Sequence, residues 1–395
     1  MRLLYVALDQ RIPGTLGGSI HVQAVAEGLA RLGHEVHVAA QGEETTSGVV
    51  FGESRAKTTP EVVSFTLHAM SPPLGRPQLR WARRGAITRL AREIGAEAII
   101  ERYYNFGGEG ILSARRLGVP AVLEVNAPVV DYPGSDKARL DRMLGVEPMR
   151  RWRDRICRMT DLFVTPSAAI LPDWVDRRRV LEIEWGADVD RFRPDAAGPL
   201  PFPRDPHRVL CVFAGAFRAW HGAAHLPAAL ARLAAAGDTR FGAVMIGDGP
   251  ERETAERAAG NTPAVVFTGA LPHDQLPACL ASADIGVAPF DPDRHAPLQL
   301  GFYWSPLKIF EYMASGLPVV APALSRLGRL VEHGREGLLY DPDDPRALDR
   351  TLVALADANV RRRLGAAARE RVVRDFSWQA HCAALDVRLR QLTAQ

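Results

Sequence analysis

The feature that most constrains this chain is a regular alternation of strand-like apolar runs with amphipathic helical segments. Residues 3–8 form a predicted strand, and a glycine-rich loop at 14–18 leads into a predicted helix that starts at Ser19. The next predicted strand, 35–39, completes one strand–helix–strand unit. Further strands are predicted at 98–102, 121–125, 162–165, 180–184, 209–214, 243–246, 265–268, 285–288 and 319–321. This alternation is typical of doubly wound α/β layers with mostly parallel sheets.

The alternation pauses once, over residues 186–206, which are rich in proline and glycine and carry no periodicity. Such a segment is typical of an interdomain linker. The predicted organisation is a first domain at 1–186, a linker at 187–206, a second domain at 207–375, and a C-terminal helix at 376–395 that packs back on the first domain. Two doubly wound domains of this kind place a cleft at the carboxyl ends of their strands.

Composition narrows the class of protein. Hydrophobic residues make up 47% and charged residues 24% of the 395 residues, which is typical of a globular chain, and a net charge of +3 is too small to indicate a nucleic-acid partner. The four cysteines are dispersed, so neither a disulfide framework nor a zinc knuckle is expected. The apolar start is short and lacks a cleavage site, and no apolar run approaches about 18 residues. The sequence therefore predicts a cytoplasmic protein.

Residues 305–316 combine a helix start with two chemically useful side chains. Ser305 is a suitable N-cap and Pro306 suits the first helical position, so a helix with its positive end towards the cleft is expected. Lys308 would supply a point charge for a phosphate, and Glu311, on the same face, could accept two hydrogen bonds from a ribose diol. The alternative is an exposed salt bridge between the two side chains.

Two glycine-containing loops follow predicted strands. Gly215 and Gly222 bracket a loop whose Arg218 and His221 could neutralise a diphosphate. Gly17 and the following Gly18 precede a helix, where a backbone can approach an anion closely; a tight turn that caps the helix is the alternative. The spacing is not G-x-G-x-x-G, and no acidic residue ends a clear second strand. These features argue against a dinucleotide oxidoreductase.

No metal site is expected. His221 and His225 have the spacing of a helical metal pair, but a third ligand is missing. Asp188-Val-Asp190 and Asp291-Pro-Asp293 match a D-x-D pattern, yet both lie among residues typical of turns.

Taken together and in order, the motifs resemble the GT-B glycosyltransferases of the retaining, nucleotide-sugar-dependent family 4. The resemblance covers 207–380 closely and 1–185 more loosely. It rests on residues 17–18, 186–194, 215–222, 246–250, 266–272, 305–321, 337–340 and 376–378. The fold that it implies is α/β, with two doubly wound Rossmann-like domains that face a central cleft and a helical C-terminal tail.

The resemblance implies a donor site in the second domain and an acceptor site in the first. The second glutamate of the family's Glu-x7-Glu pattern matches Glu311, which should hold the donor ribose. The first, which contacts the donor sugar in the family, falls on Tyr303. The family's basic pair falls on Ala216 and His221, so Arg218 and Lys308 are expected to supply the missing charge. The predicted catalytic residues are Arg218, Lys308 and Glu311.

The resemblance also assigns residues that contact the donor and the acceptor. The segment 269–272 resembles the loop that holds the base through backbone groups. Asn126 stands where many relatives have a histidine near the sugar. Glu101 is expected either to face the acceptor or to have a local structural role. The predicted donor-binding residues are Gly17, Gly18, Gly215, His221, Gly249, Leu271, Tyr303, Ser305, Leu307 and Ile309.

The mechanism that the resemblance implies is transfer with retained configuration from a nucleoside diphosphate sugar, with a UDP-sugar favoured and a GDP-sugar as the alternative. Catalysis would consist mainly of stabilising the departing diphosphate. A phosphate oxygen could take the proton of the acceptor hydroxyl, and no metal cofactor is expected. The acceptor could be a lipid-linked carbohydrate, a small metabolite or a natural product.

Two other functions stay open on the sequence. One is a nucleotide-sugar 2-epimerase of the same architecture, which needs no acceptor. The other is a non-catalytic protein that binds nucleotide or a partner, suggested by the loss of the first glutamate at Tyr303. Retention of Lys308, Glu311 and both glycine loops argues against it.

Two arginine-rich stretches, 76–92 and 150–158, lie in the presumed acceptor domain. They could rest on the anionic inner face of a membrane, which would suit a lipid-linked acceptor. A solvated helix face is the alternative that we favour.

Overall fold

The computed structural model of the chain describes residues 1–14, 17–42, 50–51, 64–70, 81–104, 107–130, 143, 145, 147–324 and 326–394. It divides into two compact units. Unit 1 comprises Met1–Trp185 and Trp378–Gln395, and unit 2 comprises Gly186–Ser377. Each unit is built around one sheet.

Unit 1 contains a sheet of eight strands in the order β3–β4–β2–β1–β5–β6–β7–β8. Seven are mutually parallel, and the two-residue β3 is antiparallel to β4 at one edge. The central strand β1 is buried over most of its length, because helices cover both faces of a parallel sheet. The strands are β1 (Arg2–Arg11), β2 (Glu35–Gln41), β3 (Val50–Phe51), β4 (Phe65–Ala69), β5 (Ala98–Arg102), β6 (Ala121–Glu124), β7 (Leu162–Thr165) and β8 (Val180–Glu182).

Helices of unit 1 bury one apolar face each. In the first of them, Val22, Val25 and Leu29 are fully buried, as their helical spacing predicted. Gly17 and Gly18 form the first turn of this helix, so the predicted start at Ser19 is two residues late. The helices are α1 (Gly17–Arg31), α2 (Trp81–Glu93), α3 (Glu109–Leu117) and α4 (Glu147–Met159).

Unit 2 contains a six-stranded parallel sheet in the order β11–β10–β9–β12–β13–β14. Its central strands are almost completely buried, and their aliphatic and aromatic side chains form one core with those of the covering helices. The strands are β9 (Val209–Ala214), β10 (Phe241–Ile246), β11 (Val265–Gly269), β12 (Ile285–Val287), β13 (Val319–Pro322) and β14 (Gly337–Tyr340).

The remaining helices follow the strands of unit 2, and the last one returns to unit 1. They are α5 (His225–Ala235), α6 (Arg252–Ala259), α7 (Leu276–Ala281), α8 (Leu307–Ala314), α9 (Leu327–Leu330), α10 (Ala347–Ala354), α11 (Ala358–Asp375) and α12 (Trp378–Thr393). α12 packs on α1, where His34 Nε2 lies 2.7 Å from Asp386 Oδ1. Within the described ranges, no helix is both long and apolar enough to cross a bilayer.

The predicted α/β architecture with parallel sheets and a helical tail is therefore confirmed, with differences in detail. The predicted linker is not a free segment. Val189, Phe192 and Phe202 are buried in unit 2, and the Arg369 guanidinium donates to the carbonyls of Val189 and Phe192. Three strands were not predicted: β3, β4 and β14. All three are short and lie at or next to a sheet edge, where the apolar pattern that predicts a strand is weak.

The two arginine-rich stretches fall largely on α2 and α4, and residues 76–80 lie outside the described residues. Arg83 turns inward, where its Nη2 lies 3.6 Å from the buried Glu109. The guanidinium of Arg158, in contrast, lies 4.5 Å from the centre of the half-exposed Trp174 ring. These stretches are therefore not uniformly solvated faces, and contact with a membrane surface stays a prediction.

Candidate functional site

The strand order of unit 2 indicates where a ligand should bind. Numbered along the chain, its strands are arranged 3-2-1-4-5-6, so the order reverses between β9 and β12. Open α/β sheets bind ligands beside the carboxyl ends of the strands at such a reversal. The segments that leave these two ends are 215–222 and 288–306, and both contain predicted site residues.

A buried tyrosine holds α8 beside this reversal. Tyr312 is fully buried, and its Oη accepts a 2.8 Å hydrogen bond from the N–H of Ala214, the last residue of β9. The helix begins at Leu307, with Pro306 in a non-helical conformation at the N-cap. The prediction that Ser305 caps the helix is therefore wrong: the ψ of 79° at Pro306 delays the helix by one residue.

Lys308 is the most unusual side chain of the site. Its Nζ is buried, lies 4.3 Å from the ring centre of Phe213 and 5.1 Å from that of Phe290, and has no hydrogen-bond partner among the described residues. Burial lowers the pKa of Lys308 to about 7, although Glu311 opposes the shift. Because the described residues offer no ion pair to this amine, the simple surface salt bridge with Glu311 is excluded.

Gly215 lets the loop after β9 approach this amine. Its φ of 143° is one that residues with a side chain rarely adopt, and a Cβ at this position would lie 3.1 Å from Lys308 Nζ. The loop backbone therefore lies against the only lysine of the second unit, at the place predicted for a diphosphate.

Arg218 and His221 lie in the same loop but differ in charge. The Arg218 side chain is exposed, and a guanidinium is always charged. The His221 Nδ1–H donates to the carbonyl of Ala216, while burial, and secondarily the charge of Lys308, lowers the pKa of His221 to about 3. His221 is therefore neutral, and the expectation that it helps to neutralise a diphosphate is corrected.

The structure also bears on the proposed metal ligands. His225 begins α5 and faces Asp291, with 3.7 Å between Nε2 and Oδ2, rather than forming a pair with His221. Asp188 Oδ1 accepts the N–H of Arg191, as expected of a turn residue. Across the described parts of the chain, no group of three or more His, Cys, Asp or Glu side chains is placed to hold a metal ion.

Glu311, one turn into α8, lies next to the segment predicted to hold the base. Its side chain is 17% exposed, and His273 Nε2 lies 3.8 Å from its Oε1. His273 directly follows residues 269–272, in which Leu271 is half-buried. The structure thus brings the predicted ribose carboxylate and the predicted base loop together. His273 was not predicted, since a histidine in a loop gives no sequence pattern.

Three other predicted donor residues, Leu307, Ile309 and Gly249, are fixed by contacts of their backbone within unit 2. Ile309 is fully buried, and its N–H donates to the carbonyl of Pro306. The N–H of Leu307 donates to the carbonyl of Ser305. Gly249 packs against the backbone of Phe217 and so ties its own loop to the loop after β9.

Tyr303, which stands at the position of the family's first glutamate, is 8% exposed and contacts the ring of Trp304 edge-on, at 5.5 Å between centres. Ser305 is buried as well. The segment before α8 therefore has a buried tyrosine at the position where the family has a carboxylate, and a tryptophan and a buried serine follow it.

In unit 1, Glu101 has a local structural role. Its buried carboxylate accepts hydrogen bonds from the N–H groups of Gly108, at 2.6 Å, and Ile111, at 2.8 Å, and so caps the start of α3. Burial, together with the charge of nearby Glu109, raises its pKa to about 8. The expectation that Glu101 faces an acceptor is therefore corrected: both of its oxygens already bind the backbone.

Asn126 follows β6 and is fixed by two side chains. Its amide donates to Glu124 Oε1, and its Oδ1 accepts a 2.7 Å hydrogen bond from Trp185 Nε1. The side chain is half-buried. The amide is thus held in one orientation at the carboxyl end of the sheet of unit 1.

The carboxylate that holds Asn126 is the centre of a buried network that the sequence did not reveal. Glu124 also accepts from Tyr5, lies 2.8 Å from His21 Nε2, and is 3.1 Å from Arg102 Nη1. Burial alone would raise the pKa of Glu124, but His21 and Arg102 outweigh it and hold the pKa well below its ordinary value. A tyrosine in an apolar strand and two charged residues at strand ends were the available signals.

The predicted Gly17 and Gly18 lie at the start of α1, near this network. A Cβ at Gly18 would lie 2.2 Å from Gln10 Oε1, while nothing lies within 4 Å of the same point at Gly17. The helix therefore approaches the end of β1 closely through Gly18, and Gly17 faces open space.

Two family sequence profiles match the chain. The profile described as Glycosyltransferase Family 4 matches residues 16–191, and the profile described as Glycosyl transferases group 1 matches residues 208–358. The matched segments therefore cover both units.

Individual proteins give the same result. The chain is 28% identical over 403 aligned residues to a GDP-mannose-dependent alpha-mannosyltransferase of Mycolicibacterium smegmatis, covering 97% of this chain and 95% of the relative. It is 29% identical over 280 residues to the sulfoquinovosyl transferase of Arabidopsis thaliana, of whose length it spans about half, 51%.

Among solved structures, sucrose-phosphate synthase of Thermosynechococcus elongatus shares the fold, with a TM-score of 0.71 over 100% of this chain and 99% of that one at 20% identity. Profiles, relatives and fold agree, and the chain belongs to the family 4 glycosyltransferases of the GT-B fold.

Proposed function

We propose that this glycosyltransferase moves a sugar, with retained configuration, from a nucleoside diphosphate sugar to an acceptor hydroxyl. The observation that carries the proposal is the buried Nζ of Lys308, which lies between two phenyl rings with no partner among the described residues. A buried amine without a counter-charge is costly to protonate, so an anion that binds beside it gains a large interaction.

The diphosphate is the anion that best fits this place. Lys308, the exposed Arg218 and the amino end of α8 all lie at the reversal of the strand order. A helix amino end carries a partial positive charge, and arginine binds phosphate oxygens with two parallel hydrogen bonds. Together these groups would stabilise the negative charge that develops on the leaving diphosphate.

Glu311 and the segment 269–273 would hold the nucleoside. Glu311 is accessible enough to accept hydrogen bonds from a ribose diol, and it lies 3.8 Å from His273 in that segment. On this scheme the acceptor hydroxyl attacks from the face that the diphosphate leaves, and a phosphate oxygen takes its proton. No protein base is then required, which differs from the paired carboxylates of glycoside hydrolases.

We propose a UDP-sugar as the favoured donor and a GDP-sugar as the alternative. The GDP-sugar alternative is supported by the mannosyltransferase of Mycolicibacterium smegmatis, whose name specifies GDP-mannose. Transfer is proposed to be independent of metal ions, because positive charge for the diphosphate is available from Lys308 and Arg218. The acceptor is proposed to be a carbohydrate, a lipid-linked intermediate or a small molecule.

The test is thermal unfolding of the full chain with UDP, GDP, UDP-glucose and GDP-mannose, each measured both with and without EDTA. A ligand at 100 times its dissociation constant should add about 2.7 kcal/mol of apparent stability. A shift with one nucleotide family supports the proposal and names the donor. The absence of any shift with all four ligands contradicts it, and a shift that EDTA abolishes contradicts metal independence.

A further inference from the structure

Beside the proposed diphosphate site lies a cluster of three aromatic side chains, Trp220, His295 and Trp304, here named the aromatic platform. Trp220 stacks on His295 with 5.3 Å between ring centres and 28° between planes. Trp304 meets Trp220 edge-on, with 4.2 Å between centres. All three side chains are half-buried, so the cluster keeps part of its ring surface open to solvent.

The platform belongs to the same two segments that form the diphosphate site. Trp220 directly precedes His221, with 3.8 Å between their ring centres, in the loop after β9. Trp304 lies just before α8. Phe290 joins the platform to the lysine, because its ring is stacked with that of Trp220 at 6.3 Å and lies 5.1 Å from Lys308 Nζ.

The segment that carries His295 and Trp304 has no acidic side chain with which to bind sugar hydroxyls. Residues 294–310 contain no aspartate or glutamate. Tyr303, at the position where the family places a sugar-binding carboxylate, is almost fully buried. A sugar that binds next to this segment can therefore meet the partly exposed rings of His295 and Trp304.

We propose that the aromatic platform binds the sugar ring of the donor by contact with one C–H face of the pyranose, and that Trp304 thereby determines which sugar is accepted. This inference rests on the proposed function. The sugar of a nucleoside diphosphate sugar is bonded directly to the second phosphate, so a surface that adjoins the diphosphate site is placed to meet it.

The chemistry of aromatic faces supports this contact. The face of an aromatic ring carries negative charge density and attracts weakly positive C–H groups, and such contacts add to the benefit of burying apolar surface. Selection then depends on which face of the sugar presents contiguous C–H groups, because a hydroxyl turned towards the ring would lose its hydrogen bonds to water.

The experiment compares nucleotides with their sugars on one set of variants of the full chain. Dissociation constants of UDP, UDP-glucose, GDP and GDP-mannose are measured by isothermal titration calorimetry for the wild type, Trp304→Ala, Trp304→Phe and His295→Ala. For the sugar of the nucleotide that binds, Trp304→Ala should weaken binding about tenfold, while the nucleotide alone changes by less than about twofold. Trp304→Phe should restore most of the loss.

Trp174→Ala is the matched control, since Trp174 is 41% exposed and lies in unit 1; it should change neither constant. Equal weakening of nucleotide and nucleotide sugar by Trp304→Ala and His295→Ala would show a structural role and overturn the inference. Unchanged binding of the sugar by both variants would overturn it too. If no nucleotide binds to the wild type, the proposed function itself fails, which distinguishes that result from a failure of the platform alone.

Discussion

At the scale of single residues, the candidate site depends on the choice of lysine over arginine. Lys308 is one of three lysines among 49 basic residues. The compact ammonium of Lys308 lies near the rings of Phe213 and Phe290 and beside the backbone of Gly215. A guanidinium is planar and wider than an ammonium group. An amine can also lose its proton when it is buried, whereas a guanidinium cannot. The residue type thus allows the buried amine to lose its proton above about pH 7 when no anion is bound.

This property predicts a pH dependence of nucleotide binding. With a pKa of about 7, Lys308 of the free protein loses its proton as the pH rises above that value. Binding of a diphosphate requires the protonated form, so affinity for UDP or GDP should fall by up to about tenfold per pH unit above pH 7. Lys308→Met should bind the nucleotide at least about tenfold more weakly at pH 6.5 and lack this additional decline. Calorimetric titrations of both proteins from pH 6.5 to 9 measure the difference, and parallel curves would contradict it.

The lowered pKa of Lys308 also affects stability. Nucleotide affinity should fall as the pH rises, whereas the free energy of unfolding without ligand should rise. The pKa of Lys308 is about 7 in the folded protein and near 10.5 when unfolded, so the unfolded chain binds more protons between these values. The cost of burying the amine is complete below pH 7 and disappears as the pH rises towards 10.5. Without ligand, Lys308→Met should therefore be more stable than the wild type at pH 6.5, by at least about 1 kcal/mol. Denaturant unfolding at pH 6.5 and 9.5 should show this gain shrinking with pH.

If Glu311 binds the ribose, its removal should weaken the binding only of nucleotides that carry the ribose hydroxyls. Removal of a carboxylate that accepts two hydrogen bonds from a diol should cost about 1.5–3 kcal/mol of binding, or roughly 10- to 150-fold in affinity. Glu311→Ala should therefore weaken binding of the ribonucleotide that binds the wild type. The matched ligand is the 2′,3′-dideoxy nucleotide, whose affinity should be the same for wild type and variant. Equal losses for both ligands would place Glu311 elsewhere than at the ribose.

Sequence reasoning located residues when their signal was local. Lys308 and Glu311 were predicted as site residues because a helix start, a rare lysine and a three-residue spacing occur within a few positions. The network at Glu124 was not predicted, and the sequence left open whether Glu101 faces an acceptor or has a structural role, because their partners lie on other strands and helices and only the folded sheet brings them together. The charge of His221 was misjudged for a related reason, since its burial cannot be deduced from its neighbours in sequence.

At the scale of secondary-structure elements, α3 is positioned by a side chain from the neighbouring strand β5. The Glu101 carboxylate binds the N–H groups of Gly108 and Ile111, which satisfies backbone donors that a helix start leaves free. The geometry therefore fixes where the helix begins against the sheet. A buried carboxylate beside Glu109 also stores an electrostatic cost, and this cost makes the element sensitive to pH.

The pKa of Glu101 gives the direction of that sensitivity. Its value of about 8 in the folded protein exceeds the ordinary 4.5, so the folded state binds the proton more tightly between these limits. The contribution to stability is complete below pH 4.5 and is lost as the pH rises through 8. Glu101→Gln should lose one backbone hydrogen bond, which costs about 1 kcal/mol of stability. The variant should also lack the pH dependence of stability that Glu101 causes in the wild type. The difference in unfolding free energy between wild type and variant, measured from pH 5 to 9, should shift in favour of the variant as the pH rises; a constant difference would contradict the assignment.

At the scale of the whole molecule, the chain forms most of unit 1, then all of unit 2, and returns to unit 1 with α12. From the alternation of strands and helices we predicted two domains and a returning helix, but we also predicted a separate linker at 187–206, which is part of unit 2. The sequence did not predict how tightly α12 packs on α1. A Cβ at Gly28 of α1 would lie 2.3 Å from the Sγ of Cys382 in α12, so the two helices can approach only because residue 28 has no side chain.

This contact predicts opposite effects of one substitution at two helical glycines. Gly85→Ala in α2 meets no atom within 4 Å, so it should stabilise the protein by about 0.5–1 kcal/mol through helix propensity alone. Gly28→Ala gains the same propensity but forces α12 away from α1, and overpacking of this kind costs about 1–3 kcal/mol. Gly28→Ala should therefore be destabilising.

The double variant Gly28→Ala, Cys382→Ala identifies the cause. Removing the sulfur gives the new methyl group its space, so the double variant should be more stable than the sum of the two single changes, by about 0.5–3 kcal/mol. Chemical denaturation of the wild type, the two single variants and the double variant gives the free energy of unfolding of each protein. Gly85→Ala is measured alongside them. A Gly28→Ala protein as stable as Gly85→Ala would mean that α12 can move without cost. The close packing of α12 on α1 would then contribute little to the stability of unit 1.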